Sequence, residues 1–359
     1  MQTQTLIIGG GLSGLALAAR LSAEEQDFLL VEARERWGGR ILSEQCNAGA
    51  FDLGPSWFWP GQPRIAALID RLGLTRFEQF YQGELLYEDE RGHVQRGRGF
   101  ASMQGSWRLQ GGLAAFIDKL LLEIPSDKRI CATPINALRK KSDGVAAQTV
   151  AGAQIMAKKV VLALPPRIAA QFSYKPVLPT DALTAMEGIA TWMAGQAKVV
   201  TVFDRPFWRD NGLSGDAMSR VGPMVECHDA SPSEGGPYAI FGFIGIPPDI
   251  RRDTEALHEQ VRMQLVRLFG PEAKNPKRPH VKDWAFDPYT ATYHDRKPLH
   301  AHPNYGLPSV LSGLWDETLV FGGSEVAPTF GGFLEGALEA AEYAYTVLKT
   351  GRGRSETRL

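Results

Sequence analysis

The glycines of residues 9–14 (GGGLSG) are the first residues in the chain whose spacing suggests a chemical task. Gly9 permits a sharp turn, Gly11 lets the backbone approach a diphosphate, and Gly14 lets a helix pack against a strand. A diphosphate here would be bound by free N–H groups and by the positive end of the helix dipole. Glu32 follows Gly11 by 21 residues, a spacing at which a carboxylate accepts hydrogen bonds from ribose hydroxyls. The pattern predicts dinucleotide binding.

These residues need a strand before them and a helix after them. Residues 5–8 (TLII) form an apolar run of strand type, and from Leu15 to Ser22 Leu and Ala recur at helical spacing. A second strand is predicted over residues 28–31, immediately before Glu32. A strand, a glycine turn, a helix and a second strand predict a Rossmann-like α/β unit.

A second glycine pair follows the acid, because Glu32 is succeeded by Gly38, Gly39 and Arg40. The N-terminal half thereby resembles the flavin-containing amine oxidase superfamily (monoamine oxidase-like), in which a GG-R motif follows the ribose-binding acid. The resemblance implies that Gly39 and Arg40 secure the pyrophosphate of FAD, a task that suits a planar, permanently charged guanidinium. We assign the nearby Arg36 to a solvated cluster of charges.

Further segments resemble the same family along the whole chain, as a short member of bacterial type. They are residues 52–57 (DLGPSW), 111–113 (GGL), 133–135 (TPI), 160–166 (VVLALPP), 319–325 (LVFGGSE) and 331–337 (GGFLEGA). The resemblance implies that FAD is bound by Gly9, Gly11, Leu12, Ser13, Gly14, Glu32, Ala33, Arg34, Gly39, Arg40, Gly54, Pro55, Ser56, Trp57, Ile135, Trp284, Gly323, Glu325, Gly332 and Phe333. Glu325 would accept from ribityl or ribose hydroxyls, and a helix beginning near Gly332 would direct its positive end at the flavin.

The fold implied is α/β, with an FAD-binding Rossmann-like domain of the GR2 type and an inserted α+β substrate domain. We expect the FAD domain to comprise residues 1–72, 101–172 and 300–359, and the substrate domain to comprise residues 73–100 and 173–299. Within the insertion, residues 198–203 (KVVTVF) are predicted to form a strand and residues 257–269 a helix.

Lys198 is the first candidate for the reacting centre. Its segment resembles the family's strand lysine, which holds a water near the flavin. Such a lysine assists reoxidation by O2 through stabilising the developing superoxide charge, or orients a water for imine hydrolysis. The alternative is a surface lysine on an edge strand.

Residues 284–294 (WAFDPYTATYH) resemble the family segment that runs beside the flavin. Some mammalian members attach FAD through a cysteine whose position corresponds here to Tyr293. No cysteine follows Cys227 in this sequence, so we predict non-covalent FAD. The two aromatic positions that flank the amine correspond to His294 and Phe333. His294 is a base, a hydrogen-bond partner or a structural residue, and Tyr293 replaces it in the aromatic pair if the alignment shifts by one residue.

Composition limits the remaining possibilities. The 359 residues carry a formal net charge of −1 and are 44% hydrophobic, which is typical of a globular protein of two domains and argues against nucleic-acid binding. The three cysteines are far apart, which predicts neither a disulfide framework nor a metal site. No apolar run is long enough to span a bilayer, and we expect a cytoplasmic protein.

We predict an FAD-dependent oxidoreductase that oxidises the C–N bond of a small-molecule amine by hydride transfer to flavin N5, with O2 as acceptor. Candidate pocket residues, which would desolvate the amine and favour its neutral form, are Trp57, Trp59, Tyr289, Tyr293 and Phe333. Two alternatives remain open. One is a flavin-dependent desaturase or dehydrogenase of a non-amine substrate, and the other is a flavin-loaded protein without turnover.

Overall fold

Within residues 1–46, 49–277, 279–297, 299 and 301–350, which the computed structural model describes, the strands form two large sheets and two short pairs. The strands are β1 (Gln2–Ile8), β2 (Phe28–Val31), β3 (Ser43–Cys46), β4 (Gly49–Asp52), β5 (Arg76–Glu78), β6 (Glu84–Glu88), β7 (Val94–Arg96), β8 (Trp107–Leu109), β9 (Arg129–Ile130), β10 (Ile135–Lys141), β11 (Gly144–Thr149), β12 (Gln154–Leu162), β13 (Ser173–Lys175), β14 (Ala197–Phe203), β15 (Leu213–Ser219), β16 (Met224–Asp229), β17 (Tyr238–Ile244), β18 (His280–Asp283) and β19 (Leu319–Phe321). The helices are α1 (Leu12–Ala23), α2 (Pro63–Leu72), α3 (Ala114–Leu122), α4 (Pro166–Ala169), α5 (Thr180–Gly188), α6 (Phe207–Asp210), α7 (Thr254–Phe269), α8 (Leu314–Glu317) and α9 (Leu334–Thr350).

The first sheet has the strand order β13-β10-β11-β12-β1-β2-β9, with β19 paired to the C-terminal half of β12. Strand β1 runs parallel to both of its neighbours, β12 and β2. Its side chains alternate between two cores: Ile7 packs with the helices α1, α3 and α9 on one face, and Leu6 packs on the other face. Burial on both faces is typical of a parallel sheet covered by helices, as the apolar run over residues 5–8 predicts.

The second sheet has the order β18-β14-β17-β16-β15-β6-β7. Every residue of β14 is buried, and this strand lies between β17 and β18 in antiparallel register. The strand predicted over residues 198–203 is therefore confirmed, as an interior strand rather than an edge. The predicted helix over 257–269 lies within α7, which begins earlier because Asp253 caps it by accepting from Ala256 N at 3.0 Å.

Two of the family-like segments, residues 160–166 and 331–337, contain an element boundary. Strand β12 ends at Leu162, and the prolines that follow it lead into α4 at Pro166, because proline cannot continue a ladder but fits the first turn of a helix. The last helix begins at Leu334, two residues after Gly332, whose φ of +79° is left-handed. No helix of the described residues is long and apolar enough to cross a membrane.

Candidate active site

A cavity of about 440 Å³ extends from the glycine turn after β1 to strand β14 of the second sheet. Gly9 and Gly11 line it at the turn, Lys198 lines it from β14, and Gly332 and Phe333 line it just before α9. Its volume falls within the range of about 300–1,000 Å³ that is common for small-molecule sites. The cavity is thus formed by both sheets and by both ends of the described chain.

The glycine turn has the geometry that its sequence predicts. Glu32 is 3% exposed, and its carboxylate accepts from Gly10 N at 2.7 Å and from Arg34 N at 2.9 Å. A Cβ on Gly14 would lie 1.9 Å from Gly9 O, so only glycine allows α1 to pack this close to the turn. A Cβ on Gly11 would meet nothing closer than 3.9 Å, which leaves the backbone at the start of α1 accessible from the cavity.

Arg34 joins this turn to the segment that follows β18. Its guanidinium donates to Asp287, to Thr290 Oγ1 at 2.9 Å and to Glu32 at 3.3 Å. Burial alone would raise the pKa of Asp287, but Arg34 and Lys282 outweigh it and lower that pKa. Arg34 lines the cavity, and the carboxylates of Glu32 and Asp287 balance its positive charge.

Arg40 lines the cavity as well, and Glu325 holds it from behind. Glu325 is fully buried and accepts from both terminal nitrogens of Arg40, at 2.5 and 3.1 Å, while Ser324 Oγ accepts from the second nitrogen at 2.8 Å. Such a bidentate pair fixes the guanidinium plane. The carboxylate of Glu325 itself is not part of the cavity lining. The Glu325 carboxylate therefore binds Arg40 and does not reach the cavity, where a ribityl or ribose hydroxyl would lie.

Arg36 does not belong to a solvated charge cluster, and this prediction is wrong. The side chain is partly buried and donates to the carbonyl oxygens of Trp37, Gly39 and Ile41, at 2.8 to 3.1 Å. It closes the loop that contains the second glycine pair. Three carbonyl partners within six residues compensate the guanidinium for its lost hydration.

Lys198 is buried, and its ammonium donates to Gly54 O and to Ser56 Oγ at 3.0 Å. Aromatic rings surround it, since its Nζ lies 4.6 Å from the ring centre of Phe241 and 5.2 Å from that of Trp57. Burial lowers the pKa of Lys198 to about 7. Lys198 thus lines the cavity from an interior strand, and the alternative of an exposed edge-strand lysine is wrong.

Aromatic side chains form part of the cavity wall, and two of them, Trp57 and Phe243, lie beside Lys198. This aromatic wall, as we call it, comprises Trp57, Trp192, Phe243 and Phe333. Trp57 is fixed by a hydrogen bond from its Nε1 to Gln79 Oε1 at 2.8 Å. Trp284 also lines the cavity, and its Nε1 donates to Leu53 O at 2.9 Å. Rings held by packing and by such hydrogen bonds form a dry surface of fixed shape.

Phe333 has a ring partner, but the partner is not His294. The ring of His302 stacks on Phe333 with centroids 4.6 Å apart and planes inclined by 9°, and Trp192 meets His302 edge-on at 4.8 Å. His302 Nε2 donates to Gly331 O at 3.0 Å, which ties the ring to the segment before α9. Neither His302 nor Trp192 belongs to a motif in the sequence, so sequence reasoning missed both.

Tyr293 and His294 lie away from the cavity. Both side chains are exposed, Tyr293 by 77%, and His294 instead contributes to a separate cavity of about 20 Å³. The reason is a short 3-10 helix that starts after Thr292, where Asp295 accepts from Thr292 N at 2.8 Å and is buried against Arg167. The reciprocal cap turns the two side chains outward, so the structure does not bring His294 to Phe333.

The site residues predicted from the sequence fall into two groups, those that line the cavity and those that do not. The predicted residues that line the cavity are Gly9, Gly11, Leu12, Ser13, Glu32, Arg34, Gly39, Arg40, Gly54, Pro55, Ser56, Trp57, Trp59, Lys198, Trp284, Tyr289, Gly323, Gly332 and Phe333. The predicted residues outside its lining are Gly14, Ala33, Ile135, Tyr293, His294 and Glu325. Ile135 is a core residue of the first sheet.

Comparison with known families agrees with this geometry. The model of a flavin containing amine oxidoreductase matches residues 92–344, and that of an NAD(P)-binding Rossmann-like domain matches residues 7–72. The chain belongs to the flavin containing amine oxidoreductase family. The predictions of an FAD cofactor, of a Rossmann-like α/β fold and of a flavin-dependent amine oxidoreductase are thereby confirmed. The residues fit the cofactor, because the open glycine backbone and the anchored Glu32 suit its diphosphate and ribose.

Relatives and solved structures that resemble this chain cover nearly all of it. A probable flavin-containing monoamine oxidase A of Dictyostelium discoideum is 22% identical over 93% of this chain and 95% of that protein. An L-amino acid dehydrogenase of Synechocystis is 24% identical over 94% and 93%. Among solved structures, a cyclohexylamine oxidase of Brevibacterium oxydans has a TM-score of 0.81 at 18% identity, with 96% of this chain and 98% of that chain covered. A putrescine oxidase bound to putrescine has a TM-score of 0.79 at 19% identity, with coverage of 96% and 98%.

Proposed function

We propose that the protein oxidises the C–N bond of a small amine with non-covalently bound FAD, and that O2 is the final electron acceptor. When bound, FAD would supply the acceptor for a hydride from the substrate carbon and would carry the two electrons between the amine and O2, which is reduced to hydrogen peroxide. The amine loses a hydride from carbon and a proton from nitrogen, and the imine that remains is hydrolysed. The observation that carries the proposal is the buried Lys198 between aromatic rings at the cavity.

Lys198 is suited to the oxygen half of the reaction. Its ammonium is held by Gly54 O and Ser56 Oγ, so its position is fixed before any reactant arrives. A preorganised positive charge in a dry site stabilises negative charge that develops on oxygen. With a pKa of about 7, the group also gains or loses a proton readily near neutral pH.

The aromatic wall is suited to the amine half of the reaction. An amine must be neutral for hydride to leave the adjacent carbon, and a poorly solvated site favours the neutral form. Trp57, Phe243 and Phe333 supply such a site without a protein base. We therefore assign these rings the task of binding and desolvating the amine, and we leave His294 and Tyr293 outside the proposed site.

The cofactor-binding residues are assigned by position. We propose that Glu32 binds the adenosine ribose, that Gly11 and the start of α1 bind the diphosphate, and that Arg40 supports the diphosphate under the control of Glu325. Residues before α9, with the positive end of that helix, would face the flavin. Cys131 and Cys227 do not line the cavity, which supports non-covalent attachment.

We also propose the domain division that the sequence suggests, with residues 1–72, 101–172 and 300–359 forming the FAD domain. The strands of the first sheet other than β13 fall within these segments. The strands of the second sheet fall within residues 73–100 and 173–299, the proposed substrate domain.

Anaerobic mixing with a panel of primary and secondary amines tests the proposal. We expect yellow protein that releases all its FAD on acid precipitation and whose flavin absorbance bleaches with at least one amine. Absence of bleaching with every amine would contradict the proposed function.

The role of Lys198 is tested in the second half-reaction. Lys198→Met should slow reoxidation by O2 by about 100-fold, the effect of removing one preorganised charge-stabilising group. Lys282→Met is the matched control, because Lys282 lies opposite Lys198 in the β14–β18 register but does not line the cavity. An unchanged rate in Lys198→Met would remove the lysine from the mechanism.

A further inference from the structure

Phe333 is one ring of the aromatic wall, and the ring packed flat against it is that of His302. The two ring centroids are 4.6 Å apart, and the ring planes are inclined by only 9°. Phe333 lines the cavity, whereas His302 does not. Among the residues that the structure describes, no second ring stacks on Phe333 in this way. His302 therefore meets the cavity through the ring of Phe333.

The imidazole of His302 is itself held by three contacts. Its Nε2 donates to Gly331 O at 3.0 Å, and the ring of Trp192 meets it edge-on at 4.8 Å. The ring of Tyr305 meets it edge-on at 5.2 Å, and the hydroxyl of Tyr305 donates in turn to Ala190 O at 2.7 Å. Edge-to-face contacts of this kind have a preferred geometry, so together with the hydrogen bond they fix the plane of the imidazole.

The backbone that leads into Phe333 is fixed separately, by close packing. A Cβ on Gly331 would lie 2.2 Å from Tyr305 Cβ, and a Cβ on Gly332 would lie 2.9 Å from Trp192 Cβ. The two glycines thus rest directly on these aromatic residues. A phenylalanine ring on a fixed backbone still turns about its two side-chain torsions. The ring of Phe333 therefore needs a partner of its own, and His302 is placed to be that partner.

We propose that His302 is a positioning residue for the amine half of the reaction, and that its imidazole holds the ring of Phe333 in the plane in which it lines the cavity. The inference rests on the proposed function, in which Phe333 binds and desolvates the amine. His302 is exposed to solvent, so its replacement should not unfold the chain. Loss of the stack should lower the rate of flavin reduction about fivefold, which corresponds to the about 1 kcal/mol of one aromatic pair.

Rapid mixing of the FAD-loaded enzyme measures the two half-reactions separately. Flavin reduction is followed without oxygen in the presence of butylamine, benzylamine, cyclohexylamine or 1,4-diaminobutane, and reoxidation is followed by mixing photoreduced enzyme with O2. For each amine that reduces the wild type, His302→Ala should lower the second-order rate of reduction about fivefold. The rate of reoxidation should stay unchanged, because Lys198 keeps its contacts with Gly54 O and Ser56 Oγ.

Two results would overturn the proposal: a wild-type rate of reduction in His302→Ala, or equal losses in both half-reactions. Reduction of the wild-type flavin by none of the four amines would instead refute the proposed function itself.

Two further variants separate the ring of His302 from its hydrogen bond. His302→Phe keeps a flat ring and loses the bond to Gly331 O, whereas His302→Gln keeps an N–H donor and loses the ring. Flavin reduction should return to within about twofold of the wild-type rate in His302→Phe and should stay slow in His302→Gln. Rescue by glutamine, or failure of phenylalanine to rescue, would overturn the assignment to ring stacking. His294→Ala is the control, because His294 is also exposed and its ring lies against Tyr293, away from the cavity; an equal loss there would overturn the proposal as well.

Two measurements show whether the effect passes through Phe333. Crystal structures of the variants give a readout that does not depend on turnover: the Phe333 ring should keep its plane in His302→Phe and leave it in His302→Ala, and an unmoved ring in His302→Ala would overturn the proposal. In a Phe333→Leu background, His302→Ala should cause no further loss in the rate of flavin reduction, because no ring remains to be positioned. A second fivefold loss in that background would show that His302 acts by another route.

Discussion

Replacing Lys198 with methionine should stabilise the apoprotein as well as slow its reaction with O2. The pKa of this lysine falls from 10.5 to about 7 because burial disfavours its charged form. At about 1.4 kcal/mol per pKa unit, keeping the protonated lysine in the folded state costs about 5 kcal/mol. Methionine fills similar space without a charge, so the variant avoids this cost.

The pH dependence of the effect gives its signature. Because the pKa of Lys198 is lower in the folded than in the unfolded chain, the unfolded chain binds more protons between about pH 7 and pH 10, and the stability of the wild type rises over that interval. Below about pH 7 the cost is fully present. The stability advantage of Lys198→Met should therefore be largest, up to about 5 kcal/mol, below pH 7 and should shrink as the pH approaches 10.

Urea unfolding of the two apoproteins, followed by tryptophan fluorescence over this pH range, measures the difference. Lys282→Met serves again as control, because it loses an ion pair with Asp287 instead of a desolvated charge, and we expect no gain in stability from it. The reasoning would be refuted if Lys198→Met were no more stable than the wild type below pH 7. A pH-independent advantage would show that packing, and not the buried charge, is responsible.

Three further predictions concern the cofactor end. Gly14→Ala should abolish FAD binding or folding, since its Cβ would lie 1.9 Å from Gly9 O; normal FAD absorbance in the purified variant would contradict this. Glu32→Gln should weaken FAD binding, measured by fluorescence titration, by about tenfold or more as charge-assisted hydrogen bonds are lost, whereas Glu35→Gln, next to the turn, should not. Glu325→Gln should lower the free energy of unfolding by about 3 kcal/mol, because Arg40 loses its buried partner; a urea midpoint equal to that of the wild type would show that Arg40 is compensated in another way.

The features of this molecule that could be predicted from the sequence are those that depend on residues close together in the chain. The strand, turn and helix around Gly11 follow from the apolar run, the glycines and the helical spacing within about 30 residues. The strand containing Lys198 follows from its β-branched residues. Each of these patterns is complete within one short segment, so no knowledge of the tertiary fold is needed.

The parts that could not be predicted depend on contacts between distant segments. His302 stacks on Phe333 and donates from Nε2 to the carbonyl of Gly331, and no local pattern encodes these contacts. Tyr293 and His294 were assigned to the cavity by alignment with a motif. The Thr292–Asp295 cap that turns them outward has a local T-x-x-D pattern, but Asp295 also pairs with Arg167, which lies far away in the sequence.

The position of β19 has a consequence for how the protein is made. Strand β12 is complete at Leu162, yet it receives β19 only when residues 319–321 have been synthesised, and Gly332 completes the cavity later still. Domains form from the N-terminus as the chain leaves the ribosome. The N-terminal glycine turn is therefore synthesised long before β19, and the place of β19 beside β12 stays unfilled through most of translation. We therefore expect FAD to be captured only after these C-terminal residues have been synthesised, and a chain that ends before β19 would leave the C-terminal half of β12 without this partner strand.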